Sequence, residues 1–228
     1  MRRQQACWNR RLVELSGAAH QLQALGELHP ASVTVGSVTT TPRAKHGGGC
    51  AGSTLLRRSD VRHAGSMISP ELTDLSRRIG ASLRQRGETV AVAEGSAGGL
   101  ISATLLATPG ASAYYLGGTV IYTAAAARAW MAGEVEVPAG MRGATETFAR
   151  YLAQSVRLKV AATWGLGEAG AAGPANPYGD PAGHSWLAVD GPRTATRNVL
   201  TGGDDRAGNM VAFTAATLGL FAEVLDAG

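Results

Sequence analysis

Residues 89–101 read Thr89-Val90-Ala91-Val92-Ala93-Glu94-Gly95-Ser96-Ala97-Gly98-Gly99-Leu100-Ile101. Thr89–Ala93 has the short, apolar, partly β-branched character of a buried strand. Small residues follow, and Gly98–Leu106 then reads as a helix stopped by Thr108-Pro109-Gly110. A glycine-rich turn between a strand and a helix places backbone amides where they can approach an anion. This stretch therefore points to a layered α/β domain with a ligand site at a strand end.

The flanking sequence extends that pattern in both directions. Ser69-Pro70-Glu71 is a capped helix start, with proline in the first turn. Leu72, Leu75, Ile79 and Leu83 follow at helical spacing, and Gly87 closes the helix. Downstream, Thr119–Tyr122 reads as a second strand, 124–131 as a short alanine-rich helix and 145–160 as a longer one. Further strands are expected at 163–167, 185–189 and 196–200. A last helix should run from Asp204 or Asp205 to Leu225, its acidic start suiting the positive end of the helix dipole. The late strands lack long helices between them. The expectation is an α/β/α domain over 67–228 with a mixed rather than purely parallel sheet.

Charge is unevenly distributed. Residues 1–66 carry nine Lys/Arg against three Asp/Glu, whereas residues 67–228 carry twelve against fourteen. The ordered part is thus mildly acidic and lacks the basic, aromatic-interleaved stripe of a nucleic-acid binder. Residues 31–66 are rich in Gly, Ser, Thr and Arg without periodicity, a composition unable to bury enough apolar surface to order itself. A short amphipathic helix through Leu12, Leu15, Leu22 and Leu25 is the one local signal in residues 10–28. Residues 1–66 read as a disordered basic segment or an over-extended start, with Met67 a plausible true beginning. Cys7 and Cys50 both lie there, which excludes a disulfide framework or cysteine-based metal site in the body of the protein. No uninterrupted apolar run approaches the roughly 18 residues of a membrane span. Neither a nucleic-acid nor a membrane partner is expected, and the location is read as cytoplasmic.

Two glycine-rich segments qualify as ligand turns. Gly165-Leu166-Gly167-Glu168-Ala169-Gly170 contains a literal G-x-G-x-x-G, but no helix opens after it and prolines follow. Glu94–Gly99 lacks the G-K-[ST] ending of a phosphate loop, and Glu94 stands where a G-x-S-x-G elbow needs glycine. Ser96 is either a nucleophile, which requires a base within reach, or a cap for the helix behind it. Local sequence favours the cap.

Five segments taken together carry a family resemblance. They are A-E-G-S-A-G-G-L-I-S-A-T-L at 93–105, P-G-A-S-A-Y-Y-L-G-G-T-V-I-Y at 109–122 and G-A-A-G-P at 170–174. P-A-G-H-S-W-L-A-V at 181–189 and G-G-D-D-R at 202–206 complete the set. The sequence resembles the CinA C-terminal domain family, whose members include nicotinamide-nucleotide amidohydrolases. The resemblance covers about residues 70–226. It implies hydrolysis of the carboxamide of nicotinamide mononucleotide to nicotinate mononucleotide and ammonia, in pyridine nucleotide salvage, with no metal or organic cofactor. A serine nucleophile assisted by lysine and tyrosine is implied, with glycine turns holding the ribose phosphate. A homo-oligomer is plausible by the same resemblance.

Mapped on the family's A-E-S-C-T-G-G turn, Glu94, Gly98 and Gly99 match, but the serine position is Gly95 and Ser96 falls on the cysteine position. Against Y-S-N-x-x-K, Tyr122 matches and Thr123 is a mild change, while the asparagine and lysine positions are Ala124 and Ala127. Gly170, Ala172, Gly173 and Pro174 match the third turn, and Trp186 the fourth. The resemblance marks Ser96 and Tyr122 as candidate catalytic residues. Glu94, Gly98, Gly99, Thr123, Gly170, Gly173, Asn176 and His184 are the candidate substrate-binding residues, with His184 a candidate base. Residues that shape backbone and core remain, whereas the reactive side chains have become Gly or Ala. Losing a nucleophile or base costs several orders of magnitude in rate. The expectation is a catalytically impaired domain acting by nucleotide binding or assembly. The alternative is an active deamidase using displaced groups such as Ser96.

Overall fold

The computed structural model describes residues 67–228 except 132, 134, 139, 175, 177 and 178. The readings made for residues 1–66 lie outside the described residues.

The chain opens with helix α1 (Pro70–Arg86), where the Ser69 side chain accepts from the N–H of Leu72 and Gly87 closes the helix at φ 66°. Strand β1 (Val90–Glu94), helix α2 (Leu100–Leu106), strand β2 (Tyr115–Val120) and helix α3 (Ala124–Met131) follow. Helix α4 (Glu146–Lys159) is capped by the Thr145 side chain, which accepts from the N–H of Phe148. Strands β3 (Trp164–Ala171), β4 (His184–Asp190) and β5 (Ala195–Leu200) precede the last helix, α5 (Arg206–Asp226).

The five strands form one sheet in the order β2-β1-β3-β4-β5. β1 runs parallel to β2 and β3, while β3–β4 and β4–β5 are antiparallel. The sheet is mixed, as the closely spaced late strands imply. β1, with every residue buried, lies inside the sheet.

Side-chain size separates the two faces of the sheet. Val90 and Val92 of β1 point into a core with Leu83 of α1, Ile101 of α2, and Leu218 and Phe221 of α5. Ala91 and Ala93 face the opposite way, toward Leu152, Ala153 and Val156 of α4. Small residues on that second face let α4 approach closely. A Cβ on Gly165 or Gly167 would collide with the carbonyl oxygens of Ala153 and Ala149, respectively. Helices thus cover both faces, giving the three-layer α/β/α arrangement.

Two sequence expectations change. β2 spans 115–120 rather than 119–122, so Ile121 and Tyr122 lie beyond its end. The segment containing G-x-G-x-x-G is not a turn, because β3 runs through it and its glycines serve close helix packing. α5 is apolar enough, by length and composition alone, to cross a membrane. Phe213, Leu218, Phe221 and Leu225 instead bury one of its faces in the domain core.

Candidate functional site

Beyond the C-terminal ends of β1 and β3, the chain turns around two buried carboxylates. Glu94 closes β1 and is fully buried. Its Oε2 accepts from the N–H of Ile101 (3.0 Å), and its Oε1 from the N–H (3.0 Å) and hydroxyl (2.6 Å) of Ser102. Glu94 therefore satisfies the first free amides of α2 from outside the helix, a side-chain carboxylate in the place of a local cap.

Glu168, also fully buried, holds the turn before α2. Its Oε2 accepts from the backbone N–H of Gly95 (3.1 Å) and Ala97 (2.8 Å). Its Oε1 accepts from the hydroxyls of Ser185 (2.6 Å) and Ser96. Burial pushes the Glu168 carboxyl above the ordinary carboxylate range, opposed by the hydrogen bonds from Ser185, Ser96 and Ala97, and the nearby Glu94 charge pushes it the same way as burial.

Ser96 is consequently not the cap of α2. That position belongs to Gly99, at φ 98° and without a side-chain capping bond, while Gly98 sits at φ 67°. Both conformations are left-handed and suit glycine. A Cβ on Gly98 would also press within 2.8 Å of Met210 Cε. Ser96 spends its hydroxyl proton on Glu168, a residue 72 positions away that sequence reasoning passed over. The available signal was an acid set alone in an otherwise apolar, glycine-rich run.

Above this turn lies a cleft of about 420 Å³. The structure brings Ser96, Tyr122, Thr123, Gly170, Gly173 and Asn176 together on its walls, with Gly95 beside Ser96. It does not bring Glu94, Gly98, Gly99 or His184 to that surface. Glu94 is committed to α2, and Gly98 and Gly99 form the left-handed entry to the same helix. His184 Nε2 lies 2.7 Å from Asn198 Nδ2, and its Nδ1 is buried without a hydrogen-bond partner among the described residues. His184 is therefore not placed as a base for Ser96. Asn176 is held by Asp180, donating to its Oδ2 (2.9 Å) and accepting from its N–H (3.0 Å). Hydrogen bonds from Arg142 keep the Asp180 carboxyl below its ordinary range.

Arg206, at the start of α5, is the one charged side chain among the described residues lining this cleft. It donates from Nη1 to the Gly173 carbonyl (2.8 Å) and from Nη2 to Tyr122 Oη (2.9 Å). Its guanidinium also lies 5.8 Å from the centre of the Tyr122 ring. Buried Asn209 secures the turn beneath it, donating to the carbonyls of Ala172 (2.8 Å) and Gly203 (3.0 Å). In sequence Arg206 is only the last residue of the G-G-D-D-R segment, and nothing local shows that α5 delivers it to Tyr122.

Comparison with known proteins matches residues 72–225 to the family model described as the CinA C-terminal domain. The chain belongs to the CinA C-terminal domain family. A CinA-like protein of Anaeromyxobacter dehalogenans is 38% identical over 152 residues, covering 65% of this chain and 36% of the relative. A CinA-like protein of Anaeromyxobacter sp. strain K is 36% identical over 148 residues, covering 64% and 36%. This CinA-family chain thus aligns with about a third of the length of those curated relatives. Among solved structures, a CinA superfamily protein of Klebsiella pneumoniae superposes with a TM-score of 0.64 at 23% identity, covering 69% of this chain and 99% of that one. The competence/damage inducible protein of Agrobacterium tumefaciens gives 0.63 at 24% identity, covering 69% and 97%. These superpositions bear on the fold of the CinA domain, which they share.

Proposed function

We propose that this CinA domain binds a small phosphorylated nucleotide of the nicotinamide mononucleotide class and that its amide hydrolysis is impaired. One observation carries the reading. The described lining of the 420 Å³ cleft offers hydroxyls, glycine backbone and a single guanidinium, with no Lys, His, Asp or Glu. Arginine presents fixed parallel donors suited to a phosphate, and the hydroxyls of Ser96, Tyr122 and Thr123 suit a ribose. Carboxamide hydrolysis additionally needs a base able to take a proton at the reacting atoms. The family's serine and lysine positions are Gly95 and Ala127. At Gly95 a Cβ would stand only 3.3 Å from the Ile121 carbonyl oxygen and 3.4 Å from that of Glu168.

A second reading has its own observation. The Ser96 hydroxyl donates to Glu168, whose carboxyl is shifted upward, so a serine–carboxylate pair is conceivable for an active amidohydrolase. Against it, the neighbouring Gly95 and Ala97 amides already donate to Glu168 rather than facing a developing oxyanion. Binding without efficient turnover is the better-supported function. Calorimetric titration with nicotinamide and nicotinate mononucleotides tests it. Saturable heat is expected, and a flat titration with both overturns the reading.

A further inference from the structure

A second cavity of about 360 Å³ adjoins the first, and Ile121, Tyr122, Thr123, Ala124, Gly143 and Phe148 line both. Each is of a size that small-molecule sites commonly have. Their chemistry differs. Phe148 and Tyr151 set their rings 6.4 Å apart at 15°, with Val137 and Met141 on the same cavity wall. Tyr151 is buried and donates its hydroxyl to the Met131 carbonyl (3.1 Å), so half-buried Phe148 and exposed Tyr122 are the rings this cavity offers a ligand. Ala124 and Ala127 have side chains too short to fill the space.

Two guanidiniums line this second cavity, and they are not equivalent. Arg142 is engaged by Asp180 at 2.8 Å. Arg128 is exposed and has no hydrogen bond or ion pair among the described residues. Aromatic side chains beside an exposed cation with no partner among the described residues suit a flat ring carried on an anionic linker. A mononucleotide seated in the first cavity offers its phosphate as the point from which such a linker extends.

We propose that this second cavity receives the distal half of a pyrophosphate-linked dinucleotide whose proximal half occupies the first. This inference rests on the nucleotide reading above. It enlarges the ligand class from mononucleotides to dinucleotides, with Tyr122, Thr123 and Ala124 as the wall over which the linker passes.

Calorimetry on the full chain with nicotinamide mononucleotide and with nicotinamide adenine dinucleotide is the test, because the second ligand contains the first. The dinucleotide should bind about tenfold tighter or more, as extra ring burial and one further charge contact imply. Ala127→Trp, which fills the second cavity, should bring the ratio of the two affinities close to one. Arg128→Gln, a surface change that leaves the fold intact, should reduce that ratio several-fold. Mononucleotide binding with no dinucleotide advantage overturns this inference alone, as does an advantage that both variants leave untouched. Failure of both ligands to bind overturns the nucleotide reading and this inference with it.

Discussion

At the turn between β1 and α2 the carboxylates of Glu94 and Glu168 are fully buried, and donors from backbone and hydroxyl groups meet all four of their oxygens. Across the cleft, from Tyr122 to Gly143, the wall is largely alanine, glycine and exposed side chains, with Tyr122 65% and Val137 56% exposed. The first wall spends its polar chemistry on holding the chain in place. The second leaves space, with charge from Arg128 and Arg142 on the wall itself and from Arg206 beside it. Glu94, at the end of β1, thus reads as a ligand contact in sequence yet acts here as an anchor.

Four substitutions or conditions sharpen that contrast. The largest effect is expected at Glu168. Glu168→Ala leaves Gly95 N–H its bond to the Glu168 carbonyl but strands the Ala97 amide and the Ser96 and Ser185 hydroxyls in a buried site at roughly 1–3 kcal/mol each, so a loss of about 4 kcal/mol should appear in denaturant unfolding. A loss below about 1 kcal/mol would show that the anchor role is wrong. Gly167→Ala forces α4 away from β3 and should cost about 2–3 kcal/mol by the same measurement. Stability equal to the parent would mean that α4 does not lie so close.

On the other wall, changes should act on binding. Arg206→Gln is expected to weaken mononucleotide affinity about tenfold, the value of one charge-assisted contact, with little change in unfolding. Unchanged affinity would remove Arg206 from the ligand site. The smallest effect concerns pH. The folded carboxyl of Glu168 holds its proton to higher pH than the unfolded one, whose ordinary value is 4.5. In the window above 4.5 the native state binds more protons, so this group's contribution to stability falls as pH rises and levels off above the folded value. Glu168→Gln should flatten that slope. The Gln oxygen can still accept from both amides, while its NH₂ can meet the two serine hydroxyls, which can rotate to accept. An unaltered slope in the variant would assign it to another group.

Much of the fold was legible because its signals are local. The serine cap, proline and glycine stop of α1 are sequence features with one structural meaning, and so is the apolar run of β1. What escaped was set by distant partners. Gly117 and Gly118 weaken the strand signal of β2, whose existence depends on pairing with β1. Gly165 and Gly167 fall both in the strand expected at 163–167 and in a glycine-rich segment that reads as a ligand turn, and the close approach of α4 is what requires them. Ser96 reads in sequence as cap or nucleophile, and the residue that decides its environment lies 72 positions downstream. At the site, Ser96, Tyr122, Thr123, Gly170, Gly173 and Asn176 were anticipated and are gathered in one cleft, whereas the roles of Glu168 and Arg206 follow from the folded arrangement alone.

The most direct measurement of the central claim is ammonia release from nicotinamide mononucleotide by the wild-type chain and its Ser96→Ala variant, alongside binding of the same ligand. Saturable binding with ammonia release near the uncatalysed level, unchanged by the substitution, is the predicted result. Robust turnover that Ser96→Ala abolishes would contradict it and make the Ser96–Glu168 pair a catalytic one.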